Sequence, residues 1–228
     1  MNAKEGKGNW IGIDGCRGGW IIAWLKDDQH AEIFEVESLQ PFLGKAPKKA
    51  VILIDMILYK DNEIAPRSFD QLAKSQLEKW HSRVFPAPPK EALKAENYFD
   101  ACSVSFAYSG KKISKQCYNL FPKIREANHP SIPAKQLIEY HPEIAFKQLN
   151  QNTVIEASKK TELGRVLRKK TIANYLIDEP LKLHRINKKR KLWQPDDVLD
   201  ALALAIVAKF GFYKAFYRSL SIIDSDKT

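Results

Sequence analysis

Apolar residues come in short β-branched runs through the first quarter of the chain, then at helical spacing through most of the remainder. Trp10 to Gly15, Trp20 to Leu25, Ala31 to Val36 and Val51 to Asp55 have the length and composition of strands. Gly18-Gly19 predicts a hairpin turn between the first two, and Gln40 to Leu43 a short helix before the fourth. Residues 60–135 read as a proline-dotted, mostly helical insertion, with segments near Phe69 to His81, Lys90 to Tyr108 and Lys112 to Glu126. Leu137 to Tyr140 looks like a fifth strand ended by Pro142, and Lys160 to Ile177 and Pro195 to Tyr217 like closing helices. The expected architecture is α/β: a mixed central sheet with flanking helices in a single domain over residues 10–220, with 1–9 and 221–228 as tails.

Acids interrupt this pattern at telling places. Asp14 and Asp55 each end a run of the kind normally buried in a sheet, where an unpaired carboxylate is costly unless it meets a cation or a metal. Such residues are functional candidates, and hard oxygen donors suit Mg²⁺ or Mn²⁺. Asp197 and Asp200 are three residues apart at the start of the last apolar helix, so they share one face near its positive end. Capping by Asp196 or Asp197 accounts for one acid and leaves Asp200 unexplained. Glu143 in His141-Pro142-Glu143 is a further candidate, and Glu139 on the preceding strand competes with it. His141 has two readings, general acid or local hydrogen-bonding residue.

Composition narrows the class. With 228 residues, 44% of them hydrophobic, the chain can bury a sizeable core. It has no apolar stretch near the roughly 18 residues of a membrane span and no signal-like leader, so a cytoplasmic protein is expected. Cys16, Cys102 and Cys117 lack metal-binding spacing and are expected to be reduced thiols. The net charge of +10 is local: residues 159–191 hold twelve Lys or Arg against three acids. A basic band beside acids suits a phosphodiester substrate, hence a nucleic-acid partner. The alternative is a solvated face, with Lys188 to Lys191 a charged connector. Trp80, Phe85, Tyr98, Phe99, Phe106, Tyr108 and Tyr118 in the insertion either stack on bases or, as aromatics at this density usually do, form a core.

Several motifs occur in order: G-I-D-G-C-R-G-G-W from Gly12, V-F-P-A-P from Val84, S-x-Q from Ser114, P-K-I-R-E from Pro122, E-x-H-P-E from Glu139, S-K-K-T from Ser158 and D-D-V-L-D-A from Asp196. Together they resemble an uncharacterised bacterial family of predicted nucleases in the ribonuclease H-like superfamily, and the final helix looks like that of RuvC resolvases. The resemblance implies a ribonuclease H-like fold and a metal-dependent nuclease working through two Mg²⁺ or Mn²⁺ ions. Asp14 would bridge the ions, Asp55 with Asp197 or Asp200 would complete their shells, and Glu143 would be a ligand or a water-orienting base. Lys159 and Lys160 would meet the phosphate, with Arg17, Arg67, Lys123 and Arg165 as further substrate contacts. Departures fall in the insertion: Met56 to Lys60 lack the proline and glycine expected after the strand acid, Arg67, Asp70 and Ala73 fit the family's R-x-x-D-x-x-A-R motif but Lys74 replaces its last arginine, and Ser82-Arg83 replaces a double serine. Two other classes remain, a nucleic-acid-binding scaffold without turnover and a phosphotransferase of the actin and sugar-kinase type. Against the latter stand the small size and Cys16-Arg17 where a phosphate loop needs Gly-Gly-Thr.

Overall fold

In the computed structural model, residues 8–26, 30–60, 66–133, 136–176, 182–183 and 192–225 are described; the Lys188 to Lys191 run and the outermost ends lie outside them. The chain runs β1 (Asn9–Cys16), β2 (Gly19–Lys26), β3 (His30–Val36), α1 (Leu39–Leu43) and β4 (Val51–Ile54). Helices α2 (Ser68–Leu77), α3 (Tyr98–Ser109), α4 (Lys115–Asn119) and α5 (Phe121–Ala127) follow. It closes with β5 (Ile138–Glu139), α6 (Pro142–Leu149), α7 (Glu162–Ala173), β6 (Lys182–Leu183), α8 (Pro195–Phe210) and α9 (Tyr213–Ser225).

The strands make one mixed sheet in the order β5-β4-β1-β2-β3-β6. β1, β2 and β3 are antiparallel neighbours, while β4 runs parallel to β1, β5 parallel to β4 and β6 parallel to β3. The tight β1–β2 connection depends on Gly19: its φ is 141°, and a Cβ there would stand 2.1 Å from the Val36 carbonyl oxygen. α8 is the central helix. From Val198 to Ala208 every residue is buried, and its large side chains Leu199, Leu202, Leu204 and Ile206 each contribute about 1.5–3 kcal/mol relative to exposure. Its alanines let it lie close to β1, so close that a Cβ on Gly12 would sit 1.9 Å from the Ala201 carbonyl oxygen.

The chain divides into two compact units, Met1–Met56 with Ser131–Phe216, and Ile57–Pro130 with Tyr217–Thr228. The second contains the expected helical insertion. Within it, Asn128 receives the Tyr59 N–H and donates to the Ile57 carbonyl, and Arg125 donates to the Leu93 carbonyl. Several expected elements are subdivided. The helix expected to run from 195 to 217 breaks at Gly211, whose φ of 69° caps α8. α9 then continues to Ser225, so residues 221–225 are helix, not tail. The segment from Lys90 to Tyr108 splits into a short 3-10 turn and α3, because the Asn97 side chain caps α3 by accepting from the Phe99 and Asp100 N–H groups. α6 and β6 were not expected at all. Among the described residues, no helix is long and apolar enough to cross a membrane. Cys16, Cys102 and Cys117 are free and buried.

Candidate carboxylate site

Asp14 and Asp55 stand side by side at the ends of parallel strands. Ile13 pairs with Ile54, and the Asp55 N–H continues the ladder by donating to the Ile13 carbonyl at 2.9 Å. Side chains alternate along a strand, so Asp14 shares the face of Gly12, which is the face under α8. Asp14 is only 7% exposed. Burial, then Asp200 and Asp55, push its carboxyl well above the ordinary carboxylate range. Among the described residues its side chain makes no hydrogen bond or ion pair, and the same is true of the half-buried Asp55 side chain.

The first turns of α8 bring the other acids. Asp197 caps the helix by accepting the Gln194 N–H at 2.7 Å, so the capping reading holds for that acid. Asp196 is buried and accepts from Lys160 at 2.6 Å; burial opposes its ionisation, but Lys160 and Lys159 outweigh burial and hold it below the ordinary range. Asp200 is the deepest of the three at 1% exposure, and it accepts from Lys159 at 2.5 Å. Burial pushes Asp200 up to about 6 in spite of that lysine. Burial alone would depress the Lys159 ammonium, yet Asp200, Asp14 and Asp55 together hold it well above the usual lysine range. Lys159 therefore sits within the carboxylate group.

Strand register separates Glu143 from Glu139. Glu139 pairs with Ile54, which pairs with Ile13, so it projects to the sheet face opposite Asp14 and Asp55. Glu143 lies in the first turn of α6, within electrostatic reach of Asp200. It is bound by Arg168, a fully buried guanidinium on α7 that reaches it at 2.7 Å and also donates to the Ala157 carbonyl. His141 caps α6, its Nδ1 accepting the Glu143 N–H at 3.2 Å, a local hydrogen-bonding role.

The expected substrate contacts scatter. Arg17 is exposed in the β1–β2 turn. Arg165 pairs with Glu162 at 2.8 Å and donates to the Lys160 carbonyl. Arg67 and Lys123 belong to the second unit, where Arg67 is buried against Asp70 at 2.6 Å. Ala87 of the V-F-P-A-P motif donates its N–H to the same Asp70, so these two motifs hold each other. In the described part of the basic band, Lys159, Lys160, Arg165 and Arg168 are all matched to acids, Lys160 while largely exposed, and Lys169 and Lys170 are exposed as well. Arg168 went unread in the sequence, although it falls in the small and apolar stripe of Gly164, Thr171 and Ile172, where a charge must be buried. Of the insertion aromatics, Phe85, Phe99, Phe106 and Tyr108 are exposed, Phe99 at 78%, so these four do not form a core. Phe216 of α9 is covered and packs edge-on to Tyr140.

All the donors are carboxylate oxygens, chemistry that fits a hard divalent ion. Among the described residues, no three of His, Cys, Asp and Glu already converge at metal-holding spacing. That still fits Mg²⁺, which is commonly held by one or two carboxylates with waters and substrate completing its shell. A buried acid without a hydrogen bond or ion pair among the described residues, Asp14, is the observation that calls for a cation here.

Comparison with curated proteins and comparison with solved structures each give no match. Residues 12–215 match the family described as Protein of unknown function (DUF429), and the chain belongs to that family.

Proposed function

We propose that the protein is a metal-dependent nuclease of the ribonuclease H-like type, hydrolysing phosphodiester bonds at the site of Asp14, Asp55 and Asp200. Support for the fold comes from three antiparallel strands extended by parallel strands on the β1 side, with an acid at the end of β1 and another on the helix packed over it. The single observation that carries the function is the buried Asp14 carboxyl beside Asp55, which makes no hydrogen bond or ion pair among the described residues. Asp14 and Asp55 would hold Mg²⁺ or Mn²⁺, with Asp200 and Asp197 close by. A bound divalent ion would supply charge stabilisation at the phosphate and lower the pKa of the attacking water.

The chain's own residues do the remaining work. Arg168 fixes Glu143 and so orients a carboxylate toward the water. Lys160, largely exposed on Asp196, offers its ammonium to a phosphate oxygen. Arg17, exposed in the turn after β1, extends the positive surface toward the rest of the polyanion. Buried reduced thiols suit the expected cytoplasmic setting.

The test is a cleavage screen of single-stranded, duplex, hybrid and branched nucleic acids with Mg²⁺ and with Mn²⁺, using wild type and Asp14→Asn. Cleavage that needs the ion and falls at least about a hundredfold in the variant, on the order of 3 kcal/mol of barrier, supports the reading. Because so few acids converge in advance, a second reading as a nucleic-acid-binding protein without turnover stays in view. Salt-sensitive binding with no cleavage under either ion is its signature.

A further inference from the structure

The cations inside the carboxylate group are unevenly shared. Lys160 serves Asp196, Arg168 serves Glu143 and the Gln194 N–H serves Asp197. Lys159 serves Asp200, with Asp196 also 4.0 Å away. Asp14 and Asp55 are left without a hydrogen bond or ion pair among the described residues. Lys159 is also placed rather than loose. It precedes α7 in a turn closed by the Thr161 N–H on the Ser158 carbonyl, and the Thr161 hydroxyl caps the helix by accepting the Gly164 N–H. Gly164 fixes that turn against the helix, since a Cβ there would lie 1.9 Å from the Ser158 carbonyl oxygen.

We infer that Lys159 takes the place of one of the two cations expected at this centre, so that the site binds a single divalent ion, on Asp14 and Asp55, with the lysine ammonium seated on Asp200. This inference rests on the metal-dependent reading above and changes its ion count. Charge balance supports it. Lys159 faces Asp200, Asp14 and Asp55, so one divalent ion with its ammonium brings three positive charges to those three carboxylates, and a second ion beside the ammonium would bring five; Asp197 is engaged at the helix N-terminus by the Gln194 N–H. A tethered ammonium is also already in place before any ion arrives, so a second hydrated cation would have to displace it from a buried acid. Lys159 is thus a structural counter-ion of the centre, not the free phosphate contact that its position in S-K-K-T suggests.

The experiment counts ions. Mn²⁺ bound per chain is measured at saturation by electron paramagnetic resonance of free Mn²⁺ and by calorimetry, for wild type, Lys159→Met and Lys159→Arg, with circular dichroism confirming the fold. One ion in wild type and in Lys159→Arg, rising to two in Lys159→Met, is the expected result. Two ions in wild type overturn the inference whatever the variants do, and so does a folded Lys159→Met that still binds one. The nuclease reading fails separately: one ion in wild type with no cleavage of any nucleic acid leaves the counter-ion assignment standing and removes only the activity. Absence of Mn²⁺ binding in both wild type and Lys159→Met overturns both.

Discussion

Two sets of buried carboxylates, one in each unit, answer the cost of burial in opposite ways. In the second unit Asp70 is matched: it takes two N–H groups of Arg67 and the Ala87 N–H, so its charge and its lone pairs are satisfied within the chain. In the first unit, buried Asp14 in β1, half-buried Asp55 after β4 and buried Asp200 on α8 are three acids with one ammonium close among them. Matched burial fixes structure, here tying α2 to the V-F-P-A-P loop. Unmatched burial is destabilising in the isolated chain and is expected where a site is kept ready for something else. Proximity to a sequence motif does not distinguish the two, because Arg67 and Asp14 lie in motifs of equal prominence; the balance of partners does.

The largest effect should come from unbalancing matched pairs, Asp70 with Arg67 in the second unit and Glu143 with Arg168 in the first. Asp70→Ala strands a buried guanidinium and a backbone N–H, and a loss of about 3–5 kcal/mol in urea unfolding is expected. Arg168→Met, which leaves Glu143 buried without its cation, should lose a similar amount. A loss below about 1 kcal/mol in both variants would erase the contrast, since it would mean these pairs are as dispensable as surface ones.

A pH experiment sharpens the other side. Asp200 is raised from 3.8 to about 6, so between those values the folded chain binds more protons at this site than the unfolded chain. Stability attributable to Asp200 is therefore fully present below about pH 4 and is lost as pH rises through about 6, by on the order of 3 kcal/mol. Unfolding in the presence of chelator, wild type against Asp200→Asn, isolates that share from the ordinary acids. A wild-type advantage that instead grows with pH would show Asp200 to be a matched acid held down by Lys159.

How much of this was legible follows from the range of the interactions. The strands and the acids ending β1 and β4 stood out because β-branched runs are local signals and a terminal acid breaks them conspicuously. α6 was hidden because Pro142 ends a strand and starts a helix equally well, and only the His141 cap, a matter of side-chain geometry, decides which. Gly211 was visible, but a glycine within an apolar run does not announce a positive φ. The choice between Glu139 and Glu143 needed the register of β5 on β4, which no spacing within one segment contains. Lys159 is legible as charged and near the chemistry, yet its partner lies 41 residues away, and Arg67, expected as a substrate contact, pairs with Asp70 only three residues on but is buried, which spacing alone does not show. Pairing across elements is what converts a charge from substrate contact to counter-ion, and sequence patterns do not carry it.

The smallest effect expected is also the most discriminating in sign. Asp14→Asn removes a charge that burial, Asp200 and Asp55 all oppose, while keeping nearly the same shape. In chelator at pH 8, where the wild-type carboxyl is driven toward its charged form, the variant should be more stable by about 1 kcal/mol, with the gain shrinking at pH 4 as the wild-type acid takes up its proton. Saturating Mn²⁺ should reverse the order: an ion at a hundredfold excess over its dissociation constant stabilises the chain that binds it by about 2.7 kcal/mol, and Asp14→Asn should gain little of this. A stabilising substitution that becomes the weaker protein once metal is added is the behaviour of an acid held for a ligand. If Asp14→Asn instead loses stability in chelator by as much as Asp70→Ala, then Asp14 is a structural acid with a partner of its own, and the contrast between the two sets disappears.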